Sequence, residues 1–411
     1  MQSQLRNVAL YLAVIQFFFF TTWIVYVVYL GDLLDQVGIG RDKLLWFIAL
    51  DQLLFALADT YMGFRADKVE KAIGRLGPMI LAFNAVSCIA FIALPFVADL
   101  GGENATGIQA LWIALLVIWI ASSSVLRAPP VVLLMKYAAK PQVPHLAALI
   151  LLGLALGGAI SPYLGLVLKE FSAYVPFALT GLTLFLTTLG LIWVERIPRP
   201  ATDYTPPAPV PKQFFWPILL TLLGASVFLG LGFQIHYFFN AKASFLQFAE
   251  KEYLMWLLPV FWIGFKMLVF PGSSLARRFG AMSIMSIVTP IAVLGTSLVA
   301  LSSTLNMLIV AQFLTGAAWG ILFMAGITAS LSLGQGGREG RVLGLWFSML
   351  SATAFIRVML ALNDFNPKKM PESSLIFDWL PAFLWGIAAL LLYIAWRYYR
   401  SYQASLDNHA Q

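Results

Sequence analysis

Apolar residues along this chain do not alternate with polar ones; they run on for about 20 at a time, the length at which a helix crosses the roughly 30 Å hydrocarbon layer of a bilayer. Short polar stretches separate the runs. On that ruler twelve helices are predicted, over 8–30, 44–63, 77–98, 108–130, 146–168, 175–195, 214–237, 253–271, 281–301, 306–332, 343–362 and 376–396. The expected fold class is an all-α polytopic membrane protein. After Arg199 the stretch PRPATDYTPPAPVPKQ carries five prolines, which forbid a continuous helix. An extended linker is therefore predicted over 198–213, between a six-helix half at 1–197 and a second at 214–411.

Composition agrees with the pattern. With 60% hydrophobic residues, 11% charged residues and a mean hydropathy of +0.84, the chain lies far from soluble domains, in which about 25% of residues are charged. The net charge of +7 sits between the apolar runs and not in a polar arm, so nucleic acid is not an expected partner. Orientation explains the bases better. With the N-terminus in the cytoplasm, sixteen of the 26 Lys and Arg residues fall on the inner side and seven on the outer, while Arg127, Lys266 and Arg357 lie within segments. Both termini are expected in the cytoplasm, in a bacterial inner (plasma) membrane. The first run, about Val8 to Leu30, is longer than a signal-peptide core and is read as a retained helix.

Cys88 is the single cysteine, and His145, His236 and His409 are scattered. Neither a disulfide nor a metal site is expected, and no cofactor. SLGQGGREGR lacks the Lys-Ser/Thr of a phosphate loop and reads as a cytoplasmic hinge, so no enzyme signature survives. Asn104-Ala105-Thr106 fits a glycosylation sequon on the outer side.

Chemistry concentrates between Asp51 and Pro78. Asp51 and Asp59 interrupt an apolar run, where charge is costly and marks function. Eight residues apart on a helix, they lie about 12 Å apart along the axis and within about 80° in azimuth, so both can face one cavity. Asp51 is the first candidate for exchanging a proton and Asp59 the second; a structural ion pair or packing acid is the alternative for each. The run then enters Gly63, Asp67, Lys68, Gly74 and Arg75, a charged hinge at the membrane surface.

Twelve segments, a central linker and the Gly63-x-x-x-Asp67-Lys68 turn resemble the major facilitator superfamily. The weak echo of GFRADKVEKAIGR in Gly272 to Gly280, with Ala276 where Asp67 stands, is similar to the parallel repeats of that fold. The offsets of Asp59, Gly63, Asp67, Gly74, Arg75 and Pro78 resemble those of the glycoside, pentoside and hexuronide cation symporters. Arg127-Ala128-Pro129 and LLGLALGGAISPYLG resemble the proton-coupled sucrose and disaccharide carriers. Three positions depart from these patterns: Phe55 replaces a second carboxylate, Lys136 an acid, and Gly77 a base.

The resemblance implies alternating access, Asp59 as the cation-site acid, and Gly63, Asp67, Lys68, Gly74 and Arg75 as a latch that closes neighbouring helices by charge pairing. Substrate contacts are expected from cavity-lining helices one, four, seven and ten. The residue set there is Gln16, Trp23, Tyr26, Trp119, Ser123, Gln234, His236, Gln312 and Trp319, with Gln52, Asn84 and Trp262 as neighbours. Among the embedded cations, Lys266 and Arg127 are candidates for charge pairs or snorkelling, and Arg357 for a pair with Asp364 or a substrate contact.

The function expected is proton-coupled symport of a small polar solute such as a glycoside, with sodium as the alternative ion. Proton-driven export of an amphiphile and a non-transporting scaffold are the competing readings. The partners expected are a small-molecule substrate and the lipid bilayer, with the chain working as a monomer.

Overall fold

A computed structural model describes residues 2–101, 106–135, 142–197, 209–365 and 374–410. The linker from 198 to 208, Lys136 and the Asn104-Ala105 part of the sequon lie outside the described residues. Twelve helices are long and apolar enough to cross a membrane. They are α1 (Ser3–Gln36), α2 (Arg41–Ile73), α3 (Gly77–Ala98), α4 (Thr106–Leu134), α5 (Val143–Glu170), α6 (Tyr174–Val194), α7 (Lys212–Leu246), α8 (Lys251–Phe279), α9 (Ala281–Ala300), α10 (Leu305–Leu333), α11 (Glu339–Leu362) and α12 (Leu375–Leu406).

All twelve predicted segments are found, several of them longer than predicted: α1 runs on to Gln36, α7 to Leu246, α8 to Phe279 and α12 to Leu406, and the largest change in reading is at α2. The second helix does not turn at Gly63; it continues through Asp67 and Lys68 to Ile73. One glycine costs a helix only about 1 kcal/mol relative to alanine, and the residues after it, ADKVEKA, are mostly good helix formers. The chain stops at Gly74, whose φ of 70° is left-handed and whose N–H bonds to the Glu70 carbonyl. Only glycine adopts that conformation without a Cβ penalty. The hinge expected over 63–75 is therefore about three turns of helix with a single left-handed stop at Gly74.

α1 packs on α5 and α6, and α3 on α4 and α6. α7 packs on α11 and α12, α8 on α10, and α9 on α10 and α12. The two groups meet along two broad seams, α2 against α11 and α5 against α8. Exchanging the first six helices for the last six turns one seam into the other. Leu57, Tyr61, Val86 and Ile118 are exposed around an apolar groove of about 570 Å³ between α2, α3 and α4. That groove carries no charged lining and is surface of the kind a bilayer covers.

Candidate functional site

Between the two groups lies a cavity of about 250 Å³. Its wall comes from α1, α2, α4 and α5 on one side and α7, α8, α10 and α11 on the other; α3, α6, α9 and α12 contribute nothing. Aromatic rings dominate it: Phe19, Phe20, Trp23, Phe55, Phe233, Phe238, Trp262, Trp319, Phe323 and Phe347. Several are locked before any ligand arrives. Tyr237, Phe233, Trp319 and Trp385 form a run of nearly parallel rings, and the Trp262 indole donates to the Tyr237 hydroxyl at 2.8 Å. Trp262 also lies against Gly158 of α5, where a side chain would collide with the indole.

The floor of the cavity is a charge pair built on a broken helix. In α4, Pro129 and Pro130 lack the N–H groups that the Val125 and Leu126 carbonyls need four residues earlier, and the backbone tightens into a 3-10 turn over Ser124–Leu126. Gln16 of α1 repairs one loss, its Nε2 donating to the Leu126 carbonyl at 2.5 Å. The break turns Arg127 inward. Its Nη1 lies 2.6 Å from Asp59 Oδ2 and donates to Ser351 Oγ of α11 at 2.7 Å. Ser351 in turn donates to Asp59 Oδ2 at 3.3 Å. Phe55 and Phe347 flank the guanidinium, with ring centroids 5.3 and 5.2 Å away. Snorkelling is thus not what Arg127 does; the two prolines and the buried acid hold it in the cavity.

Asp51 stands behind the cavity wall next to the lining residue Gln52, with no exposed surface. Gln52 Nε2 donates to its Oδ1 at 2.5 Å, and Trp23 flanks it. Asp51 Oδ2 and the neighbouring Tyr26 hydroxyl are buried without a hydrogen-bond partner among the described residues. Across the seam, Arg357 of α11 lies within electrostatic reach of Asp51 but beyond ion-pair distance. Its Nε donates to Gln234 Oε1 at 3.2 Å, and its guanidinium sits 4.6 Å above the Phe238 ring.

Below the floor the α2–α11 seam closes. A Cβ on Gly63 would strike the Gly340 carbonyl and the Gly344 Cα, so both backbones approach as only glycine permits. The Asp67 carboxylate accepts from the backbone N–H of Gly340 at 2.7 Å and of Arg341 at 2.9 Å. Those are first-turn donors of α11, which has no side-chain cap of its own. Asp67 therefore caps a helix of the opposite group and places its charge at the positive end of that helix. Lys68 and Arg75 are exposed and take no part among the described contacts, so the closure expected from charge pairing is made by backbone donors.

Of the expected substrate contacts, Gln16, Trp23, Gln52, Arg127, Gln234, Trp262 and Trp319 line the cavity. Tyr26 and Trp119 are packed on each other, 4.8 Å between centroids, and Ser123 bonds the Ile120 carbonyl. His236 and Gln312 bond each other at 3.0 Å in the core, beside a π-helical turn of α7 over Ile235–Asn240, and Asn84 bonds Thr188. These six are kept from the cavity by pairing or packing. Lys266, one turn beyond Trp262, is partly buried and makes no ion pair among the described residues. The sequence reading missed Ser351, the Phe233 platform and Gly340-x-x-x-Gly344; only the last carries a local signal, the spacing of close helix contacts.

The profile of the Major Facilitator Superfamily matches residues 12–356. No curated protein matches the chain in sequence. Among solved structures, a human organic anion transporter, MFSD10 (TETRAN), superposes with a TM-score of 0.68 at 12% identity, over 95% of this chain and 99% of that one. A bacterial homologue of the iron transporter ferroportin, in an outward-facing state, does so with a TM-score of 0.70 at 12% identity, over 94% and 98%. At such identities the likeness is one of fold.

Proposed function

The chain belongs to the Major Facilitator Superfamily and is an integral membrane transporter, and from that premise we propose that it couples proton movement to transport of an amphiphilic solute. The cavity carries this reading. Its wall is mostly aromatic and aliphatic, with Gln16, Gln52, Gln234, Ser351, Thr353 and Arg127 as the polar exceptions. Such a lining takes an apolar body and orients one polar end. Asp51 and Asp59 lie just behind it, each with one carboxylate oxygen unpartnered among the described residues, in reach of a proton that enters with the solute. Alternating access follows from the two seams: α2 and α11 separate at the Gly63–Gly340 contact as the halves rock about the cavity.

A glycoside is the second reading, favoured by the amides of Gln16, Gln52 and Gln234 beside Trp23, Trp262 and Trp319. A sugar ring presents apolar faces to indoles and hydroxyls to amides.

Proteoliposomes holding a pH-sensitive dye separate these readings. Panels of aromatic amphiphiles and of simple glycosides are added under an imposed proton gradient. Solute-dependent proton entry is expected with the amphiphiles and is lost in the Asp51→Asn, Asp59→Asn double variant. Unchanged proton-driven flux in both single variants and the double one would remove the coupling role.

A further inference from the structure

Charge is unevenly distributed around the cavity. In the apolar depth of the eight helices that wall it stand three cations, Arg127, Lys266 and Arg357, and two acids, Asp51 and Asp59. Asp378 is on α12, outside the wall. Asp59 is committed to Arg127 at 2.6 Å. Asp51 faces Arg357 without closing on it, and Lys266 has no ion pair among the described residues. Charges inside a membrane protein are paired because leaving one alone costs several kcal/mol. Here the cations outnumber the acids, and both acids are withdrawn behind the wall, with at most 1% of their surface exposed.

Arg357 is the cation with donors to spare. Only its Nε bonds within the described residues, to Gln234, while Phe238 supports the plane of the guanidinium from below. Four of its five N–H donors therefore remain for a planar oxyanion, which a guanidinium fork grips in bidentate fashion. Gln234 and Phe238 both line the cavity, so this end of Arg357 adjoins it.

Resting on the amphiphile reading, we propose that the solute is an organic monoanion, a carboxylate or sulfonate on an aromatic body, and that its headgroup is received by Arg357 and Gln234 where Gln234 and Phe238 line the cavity. Asp51 and the bound anion then compete for one guanidinium. A proton on Asp51 removes the competitor, so proton and anion bind cooperatively and cross together as a neutral pair. The titratable and charged groups facing Asp51 are Tyr26 from α1 and Arg357 from α11; Arg127 of α4 is held by Asp59 two turns away.

The test is binding to the full chain in lipid nanodiscs, by isothermal titration, of three probes with one indole body: indole-3-acetate, indole-3-acetamide and tryptamine. The acetate is expected to bind about tenfold or more tighter than the other two, and tighter at about pH 6 than at about pH 8. Arg357→Gln erases that preference and leaves the acetamide unaffected, and Arg357→Lys retains part of it. Asp51→Asn binds the acetate at the higher pH as wild type does at the lower. Equal binding of acetamide or tryptamine overturns the inference, as does a preference that survives Arg357→Gln. If that variant does not fold, a pH profile unchanged in Asp51→Asn overturns it instead. Binding of none of the three to a cooperatively melting wild-type protein overturns the amphiphile reading and this inference with it.

Discussion

Arg127 and Asp59 are joined at 2.6 Å, and Ser351 from the opposite half hydrogen-bonds to both. The Asp59 side chain is fully buried and that of Arg127 only 20% exposed, so either charge left alone is stranded in a medium of low dielectric. Asp59→Asn or Arg127→Gln should each lower stability by about 3–5 kcal/mol. The double replacement Asp59→Leu, Arg127→Met removes both charges and should melt above either single variant. Thermal unfolding of the purified protein in one detergent ranks them; a double variant no better than the singles would mean that shape, and not charge, holds this contact.

Asp67 caps α11 across the seam through the N–H groups of Gly340 and Arg341. Asp67→Ala removes both bonds and should cost about 1–2 kcal/mol of closure, whereas Asp67→Asn keeps one acceptor and should fall between. The readout is the rate at which a membrane-impermeant maleimide labels Ser348→Cys, a seam position whose hydroxyl bonds the Ala56 carbonyl. The native Cys88 is buried and adds little background. Labelling is expected to accelerate in the order wild type, Asp67→Asn, Asp67→Ala, and an unchanged rate would show that the carboxylate does not hold the seam shut.

Gly63 meets the Gly340 carbonyl and Gly344 with no room for a Cβ. Gly63→Leu should force α2 and α11 apart more than loss of the Asp67 cap does, because the obstacle is backbone and cannot rotate away. The same labelling assay should give its fastest rate here. Gly74→Ala tests the other glycine: it has open space around it, so its cost, about 1 kcal/mol, comes from the positive φ alone and should appear in melting without changing the labelling.

The contrast between those two glycines shows what the sequence could carry. Twelve spans were legible because bilayer thickness sets a length that apolar runs must meet. Asp51, Asp59 and Arg127 were legible as charges set in such runs. Their partners were not, since Ser351 lies 292 residues from Asp59 and no local pattern encodes that meeting. Phe55 makes the same point. Read against a family pattern it is a missing acid; in the fold it is a ring beside the Arg127 guanidinium. Helix ends were misjudged where polar residues continued a helix beyond the apolar run, as from Gly63 to Ile73.

Gln16 offers the sharpest test of how the floor is built. Its Nε2 donates to the Leu126 carbonyl, the acceptor that Pro130 cannot serve because it has no N–H. Gln16→Ala leaves that carbonyl unpaired in a protein interior, which costs about 1–3 kcal/mol, and it should also loosen Arg127 at the adjoining residue. Pro130→Ala returns a backbone donor four residues after Leu126. If the prolines break the helix and the glutamine repairs it, Pro130→Ala should be tolerated in the wild-type background and should rescue the melting temperature of Gln16→Ala. The two effects would then be strongly non-additive. Simple addition of two losses would mean that the carbonyl finds another donor and that Gln16 serves the cavity only as a lining amide.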